Sequence, residues 1–210
     1  MTGKDKTSQL NAVYAAKAPD EVARAYNDWA ATYDADMAKA GYRHPAIGLA
    51  LFARHLPRGS TPVLDAGAGT GLVGEWLGLV GYPQVEALDL SEGMLAVARS
   101  KSIYSALHQA ALGTALPFPD DYFAAVISTG VFTTGHVGAE GLDELIRATR
   151  PGGVIVLTVK DAVWAAGFAD RIAELAATGA ISLLEETDPY VSMPGEAGTT
   201  PSRALVFRVV

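Results

Sequence analysis

Val63-Leu64-Asp65-Ala66-Gly67-Ala68-Gly69-Thr70-Gly71 is a short apolar run that ends on an acid and breaks into three spaced glycines. A run of this kind reads as a central parallel strand covered on both faces. The glycines supply a turn without side chains, where a positive φ costs little and a ligand can approach the backbone. A helix is expected from about Leu72 to Val80, and its unpaired N–H groups and positive dipole end favour an anionic group at the turn. The dinucleotide fingerprint G-x-G-x-x-G needs glycine where this chain has Leu72, so the spacing argues against NAD. Val85-Glu86-Ala87-Leu88-Asp89 reads as a second strand, and a carboxylate at its end can accept both hydroxyls of a ribose. That ribose occurs in NAD and in S-adenosylmethionine (SAM) alike, so Asp89 serves either cofactor.

Strands and helices alternate along the rest of the chain. After Asp89 come a helix over 92–100, a third strand near 104–111, a fourth over 123–129, a helix over 140–149 and a fifth strand over 154–160. Arg150-Pro151-Gly152-Gly153 reads as the stop signal between the last two. A further helix to about Thr178 and two strands, over 181–186 and 204–210, complete the chain. This order specifies an α/β fold with a parallel sheet and right-handed crossovers. Residues 1–56 read as a polar, mobile tail followed by a helical cap over 19–56, and residues 57–210 as the cofactor-binding core of the same domain. Tyr26, Trp29, Ala30 and Tyr33 recur at helical spacing on one face of that cap.

Composition narrows the functional classes. The chain has 210 residues, half of them apolar, enough for one domain with a substantial core. It has no cysteine, which removes disulfides, thiolate metal sites and a cysteine nucleophile. Its formal charge of −7 disfavours binding to a phosphate backbone, so nucleic acid is not an expected partner. The first ten residues lack the apolar core of a secretory signal, and no apolar run reaches the length of a membrane span. A cytoplasmic enzyme is therefore expected, with no membrane partner. No His, Asp and Glu grouping has metal-ligand spacing, so no metal is expected.

The loop Asp65 to Gly71, the strand end at Asp89, Ser91-Glu92-Gly93-Met94-Leu95 and Leu116-Pro117-Phe118-Pro119-Asp120 together resemble class I SAM-dependent methyltransferases over residues 62–160. Tyr26-Asn27-Asp28-Trp29-Ala30, Tyr33-Asp34, Tyr42-Arg43 and Leu112-Gly113 are similar to the methyltransferase-like proteins of the Williams–Beuren syndrome region. The resemblance implies a Rossmann-like, doubly wound, seven-stranded, mostly parallel sheet with an antiparallel C-terminal edge hairpin and an N-terminal helical cap. It also implies SAM as cofactor, SAH as product and methyl transfer to a small-molecule acceptor. The cofactor contacts it implies fall on Tyr33, Arg43, Asp65, Gly67, Ala68, Gly69, Asp89, Leu90, Met94, Leu112 and Ser128.

Each of these residues also has a plain structural reading. Asp65 either helps hold the amino end of SAM or bonds loop amides, Met94 either stacks on adenine or fills the core, and Ser91 reads as a helix N-cap. The resemblance places Tyr33 at the methionine end of SAM and Arg43 near its carboxylate. The acid that the family uses for the adenine amino group is replaced by Leu112, and Ala124 stands where the family often has Asp. The fourth-strand loop 128–136 faces the transferred methyl in related enzymes and carries His136, the one histidine considered for general-base chemistry, against a surface or capping role. His44, His55 and His108 have no constellation around them in the sequence. Two rivals remain: a SAM- or SAH-binding protein without catalysis, and a short NAD-linked oxidoreductase, for which no Tyr-x-x-x-Lys pair is present.

Overall fold

The structure, a computed structural model, describes residues 6–16, 18–196 and 199–210. Strands β1 (Val63–Ala66), β2 (Val85–Asp89), β3 (Ala106–Gln109), β4 (Phe123–Phe132), β5 (Thr149–Lys160), β6 (Ile181–Glu186) and β7 (Ser202–Val209) form one sheet in the order β3-β2-β1-β4-β5-β7-β6. The first five strands pair in parallel, and β7 runs antiparallel between β5 and β6. The strand order turns back beside β1, where an open α/β sheet places its ligand. β1 is buried at every position, as the apolar run ending on Asp65 requires of a strand covered on both faces.

Helices α1 (Lys6–Ala15), α2 (Pro19–Trp29), α3 (Tyr33–Ala40) and α4 (His44–His55) precede the sheet. Within it lie α5 (Gly74–Leu79), α6 (Glu92–Lys101), α7 (Leu142–Ala148), the one-turn α8 (Asp161–Val163) and α9 (Ala169–Ala177). The expected polar tail is therefore helical over Lys6–Ala15, while residues 1–5 lie outside those described. The expected helical cap over 19–56 consists of three helices, α2, α3 and α4. Gly41 ends α3 in the left-handed conformation, with its N–H on the Ala38 carbonyl, and Pro45 then opens α4.

Two cores flank the sheet. Phe123, Phe132, Phe168, Leu145 and Phe207 fill one, while Phe52, Leu77, Tyr82, Ile127 and Val206 fill the other. Trp29, Met37 and Met193 form a third cluster under the cap.

Three boundaries depart from the sequence expectation. The helix after the glycine turn begins at Gly74, because 69–73 is spent on turns. Arg150-Pro151-Gly152-Gly153 lies inside β5 rather than before it, at an irregularity where Phe123 pairs with Thr149 but Ala125 with Val154. β4 continues past Thr129 to Phe132. The reason is a bulge at Gly130, whose φ of 77° and N–H bond to Thr158 Oγ1 (2.7 Å) let Phe132 pair with Val159.

Candidate functional site

The glycine turn is built by β1 and β2 together. Gly67 and Ala68 donate their N–H groups to the Leu88 carbonyl at 2.7 and 3.0 Å, which ties the turn to the neighbouring strand. Gly67 has a φ of 78°, and a Cβ there would lie 2.1 Å from Val131 Cγ2, so only glycine fits against the β4 end. A Cβ at Gly69 would meet nothing within 4 Å, so that bare backbone faces open space. Asp89 closes the turn from the other side, with one carboxylate oxygen accepting from Gly69 N–H and the other from Ser91 N–H, both at 2.8 Å. Burial raises its pKa, and backbone N–H bonds from Ser91, Gly69 and Leu90 oppose the rise.

These strand ends border a cavity of about 170 Å³. Of the residues singled out in the sequence, Tyr33, Gly67, Gly69, Asp89, Leu90, Met94, Leu112 and His136 line it. Met94 reaches it from α6, whose start is fixed by Ser91: the Ser91 side chain accepts from Met94 N–H at 3.1 Å. Ala110 and Ala111 continue the wall at Leu112, so this end is apolar where the family carries an acid. At the other end stand Thr129, Gly130, Val131 and His136 from the β4 side, with Tyr26 and Tyr33 from the cap.

The other four named residues lie elsewhere. Ser128 is fully buried and donates to the Ala66 carbonyl at 2.7 Å, stitching β4 to β1. Ala68 packs with Ala87 and Leu95. Arg43 is exposed at the start of α4 and donates its backbone N–H to the Ser192 carbonyl. Asp65 is 1% exposed and accepts from the Tyr104 hydroxyl at 2.6 Å. Burial, opposed by that bond and reinforced by the charge of Asp89, pushes its pKa up to about 7.

His136 sits beside the aromatic stripe. Its ring lies 5.6 Å from that of Tyr26, which in turn stacks on Trp29 and meets Tyr33 edge-on, each at 6.3 Å. The Tyr26 hydroxyl lies 3.0 Å from His136 Nε2, and Nδ1 lies 3.3 Å from the Thr134 carbonyl. A carbonyl can only accept, so the proton is assigned to Nδ1, and Nε2 accepts from Tyr26. Burial holds the pKa of His136 below its usual value, which keeps the ring neutral. The other histidines also have partners: His44 Nδ1 lies 2.7 Å from the Tyr190 hydroxyl, His55 Nε2 2.6 Å from Glu185 and His108 Nε2 2.8 Å from Glu86.

Sequence reading missed the groups that hold the cap over the cavity. Asn27 Oδ1 accepts from Ser91 Oγ and from Gly93 N–H, at 2.7 and 2.8 Å, clamping α2 onto the start of α6. Asp34 on α3 accepts from Thr70 Oγ1 in the glycine turn and from Lys101 Nζ at 2.7 Å. Lys101 also meets Glu75 at 2.6 Å. The available signal was that Asn27 and Asp34 lie on the face of the cap next to the aromatic stripe, but their partners are 36 or more residues away.

A methyltransferase domain model matches residues 64–157. The chain is 36% identical over 138 residues to human Methyltransferase-like protein 27, covering 64% of this chain and 56% of that protein. It is also 36% identical over 143 residues to the demethylmenaquinone methyltransferase of Renibacterium salmoninarum, covering 67% of this chain and 59% of the other. The chain thus spans less than two thirds of the length of these relatives. Among solved structures it is similar to a TehB-like SAM-dependent methyltransferase from Corynebacterium glutamicum, with a TM-score of 0.63, 22% identity, and coverage of 89% of this chain and all of that one. That likeness carries the fold. With the strand order 3-2-1-4-5-7-6 and the glycine turn facing Asp89, residues 64–157 are a methyltransferase domain, in the fold of the SAM-dependent methyltransferases, whose cofactor is S-adenosylmethionine.

Proposed function

We propose that the protein transfers a methyl group from SAM to a small-molecule acceptor, within one domain that comprises an N-terminal tail and helical cap over residues 1–56 and the cofactor core over 57–210. One observation carries this reading: eight of the residues named from the sequence line a single cavity at the carboxyl ends of the parallel strands. The residues present fit SAM. The bare backbone of Gly69 leaves room for the cofactor, Asp89 offers a carboxylate to a ribose, and Met94 and Leu112 give an apolar wall for adenine. At the opposite end the faces of Tyr26 and Tyr33 suit the sulfonium, an attraction of about 0.5–2 kcal/mol. When bound, SAM supplies a methyl carbon activated by that sulfonium.

The chain's own part is positioning and proton handling. An in-line displacement needs nucleophile and methyl carbon held about 3 Å apart and aligned. Tyr26 and His136 can relieve a hydroxyl nucleophile of its proton by relay: the acceptor's proton passes to the Tyr26 oxygen as the Tyr26 proton moves to His136 Nε2. The depressed pKa of His136 leaves Nε2 unprotonated at neutral pH and ready for that proton. An amine or thiol nucleophile needs no such help. The demethylmenaquinone methyltransferase among the relatives, whose name denotes a small-molecule acceptor, supports the same class here.

Asp89→Ala is expected to weaken SAM binding by about 1–3 kcal/mol in calorimetry, the scale of losing charge-assisted hydrogen bonds. Unchanged affinity removes Asp89 from the site. Incubation with isotope-labelled SAM and a metabolite extract, followed by mass spectrometry, is expected to give a labelled small molecule. SAM binding without any labelled product would favour a binding protein instead.

A further inference from the structure

Beyond the β4 end of the cofactor cavity lies a second cavity of about 40 Å³, and Tyr26, Tyr33 and Gly130 line both. Building on the methyl-transfer reading, we propose that this second cavity anchors the acceptor, taking the carboxylate of a small planar acid at Lys160 and Thr133 while the planar body lies against Tyr26 and Tyr33.

Size sets the first constraint. A water needs roughly 10–15 Å³ measured in this way, so the cavity holds a headgroup of about three heavy atoms and excludes a ring. The rest of the acceptor must therefore lie along the shared aromatic wall, beside the methyl-donor end of the first cavity. Flat aromatic side chains favour a flat partner there.

Charge sets the second. Among the described residues lining this cavity, Lys160 is the one Lys or Arg, and none is Asp or Glu. His44 is buried on the same wall, and burial together with the charge of Lys160 pushes its pKa down to about 3, so it stays neutral. The Lys160 charge also lowers the pKa of His136, so its field spans the junction between the two cavities. The wall of the second cavity is positive and carries the neutral imidazole of His44, although the chain as a whole carries −7. Beyond about 8 Å exposed charges are screened at physiological salt, so the local group governs what is held.

Hydrogen bonding sets the third. Thr133 lines the cavity, and its hydroxyl is buried with no hydrogen-bond partner among the described residues, an unfavourable condition for a donor. A carboxylate oxygen in the cavity gives that donor its acceptor. The bulge at Gly130 shapes the same wall: a Cβ there would fall 1.9 Å from the Tyr42 hydroxyl, so the glycine lets Tyr42 close over the β4 end. The β4 bulge and the aromatic cap thus build a compact cationic corner beside the cofactor.

The test compares 4-hydroxybenzoate with 4-hydroxybenzamide, equal in shape and different in charge, by calorimetry on SAH-saturated protein. The acid is expected to bind at least about tenfold more tightly than the amide. Lys160→Met is expected to abolish that preference with SAH affinity unchanged, and Thr133→Val to weaken the acid several-fold while preserving side-chain volume. Should Lys160→Met fail to fold, Thr133→Val carries the test. SAH affinity is measured first on each sample: if the wild type does not bind SAH, the methyltransferase reading fails and this proposal with it. If SAH binds but acid and amide bind alike, or neither binds at millimolar concentration, the anchor alone is overturned.

Discussion

At the scale of single residues, two neighbouring carboxylates show how position assigns chemistry. Asp89 stands at the cavity edge and is satisfied by backbone N–H groups, whereas Asp65, on the next strand, is turned inward to Tyr104. The sequence shows an acid at each strand end and cannot tell these fates apart, because the partner of Asp65 comes 39 residues later. The consequence for stability has a definite sign. Burial pushes the Asp65 pKa from 3.8 up to about 7 in the folded state. Between these values the folded chain holds a proton that the unfolded chain has released, so stability falls as pH rises from about 4 to about 7. The full effect of this group is about 4 kcal/mol. Asp65→Asn keeps an acceptor for the Tyr104 hydroxyl and removes the titration. Its urea midpoint is expected to change less between about pH 4.5 and pH 7.5 than that of the wild type, with some slope left by Asp89. An equal slope in the two proteins would show that Asp65 titrates normally.

At the scale of elements, the parallel core was legible because each strand carries its own evidence: β1, β2 and β5 are apolar runs bounded by acids, glycines or Pro. The C-terminal extension of β4 was not legible, since Ser128-Thr129-Gly130 reads as a loop until Thr158 is known to accept the Gly130 N–H. The cap was legible as helical and apolar on one face, but its seating was not. That seating depends on Asn27 reaching Ser91 and Gly93, and on Asp34 reaching Thr70 and Lys101. Asn27 matters more of the two, because its oxygen serves the buried Ser91 at the start of α6, while Asp34 is half-exposed and its ion pair is screened. Asn27→Ala is expected to cost about 1–2 kcal/mol, felt locally. Hydrogen exchange should speed up in α2 and in the first turn of α6 while β1 and β4 stay protected. Uniform acceleration across the sheet would mean that the cap is part of the global unfolding unit.

At the scale of the whole molecule, the residues proposed for the cofactor end could be gathered from the sequence because they are local: glycine turn, Asp89 and Met94 fall within about thirty residues. Those proposed for the acceptor end could not, because Tyr26, Thr133 and Lys160 meet only when cap, β4 and β5 are assembled. Both ends are held by the folded chain alone, so their ligands must stabilise it by mass action. Asp89, the glycine turn and the aromatic wall belong to three separate segments, and unfolding disperses all of them. Binding is then linked to folding by RT ln(1 + [L]/Kd), about 2.7 kcal/mol when ligand is present at one hundred times its Kd. For a chain of 210 residues each kcal/mol moves Tm by roughly 2–4 °C, so saturating SAH is expected to raise Tm by about 5–10 °C. At the same SAH concentration Asp89→Ala should lose between about a third and about nine tenths of that rise, because a loss of about 1–3 kcal/mol weakens the affinity roughly five- to 160-fold. Lys160→Met should keep the rise in full, since Lys160 lines only the second cavity. Differential scanning calorimetry of the three proteins, with and without SAH, separates the cavities in one measurement. A rise lost equally in both variants would show that the two cavities act as one site for the cofactor.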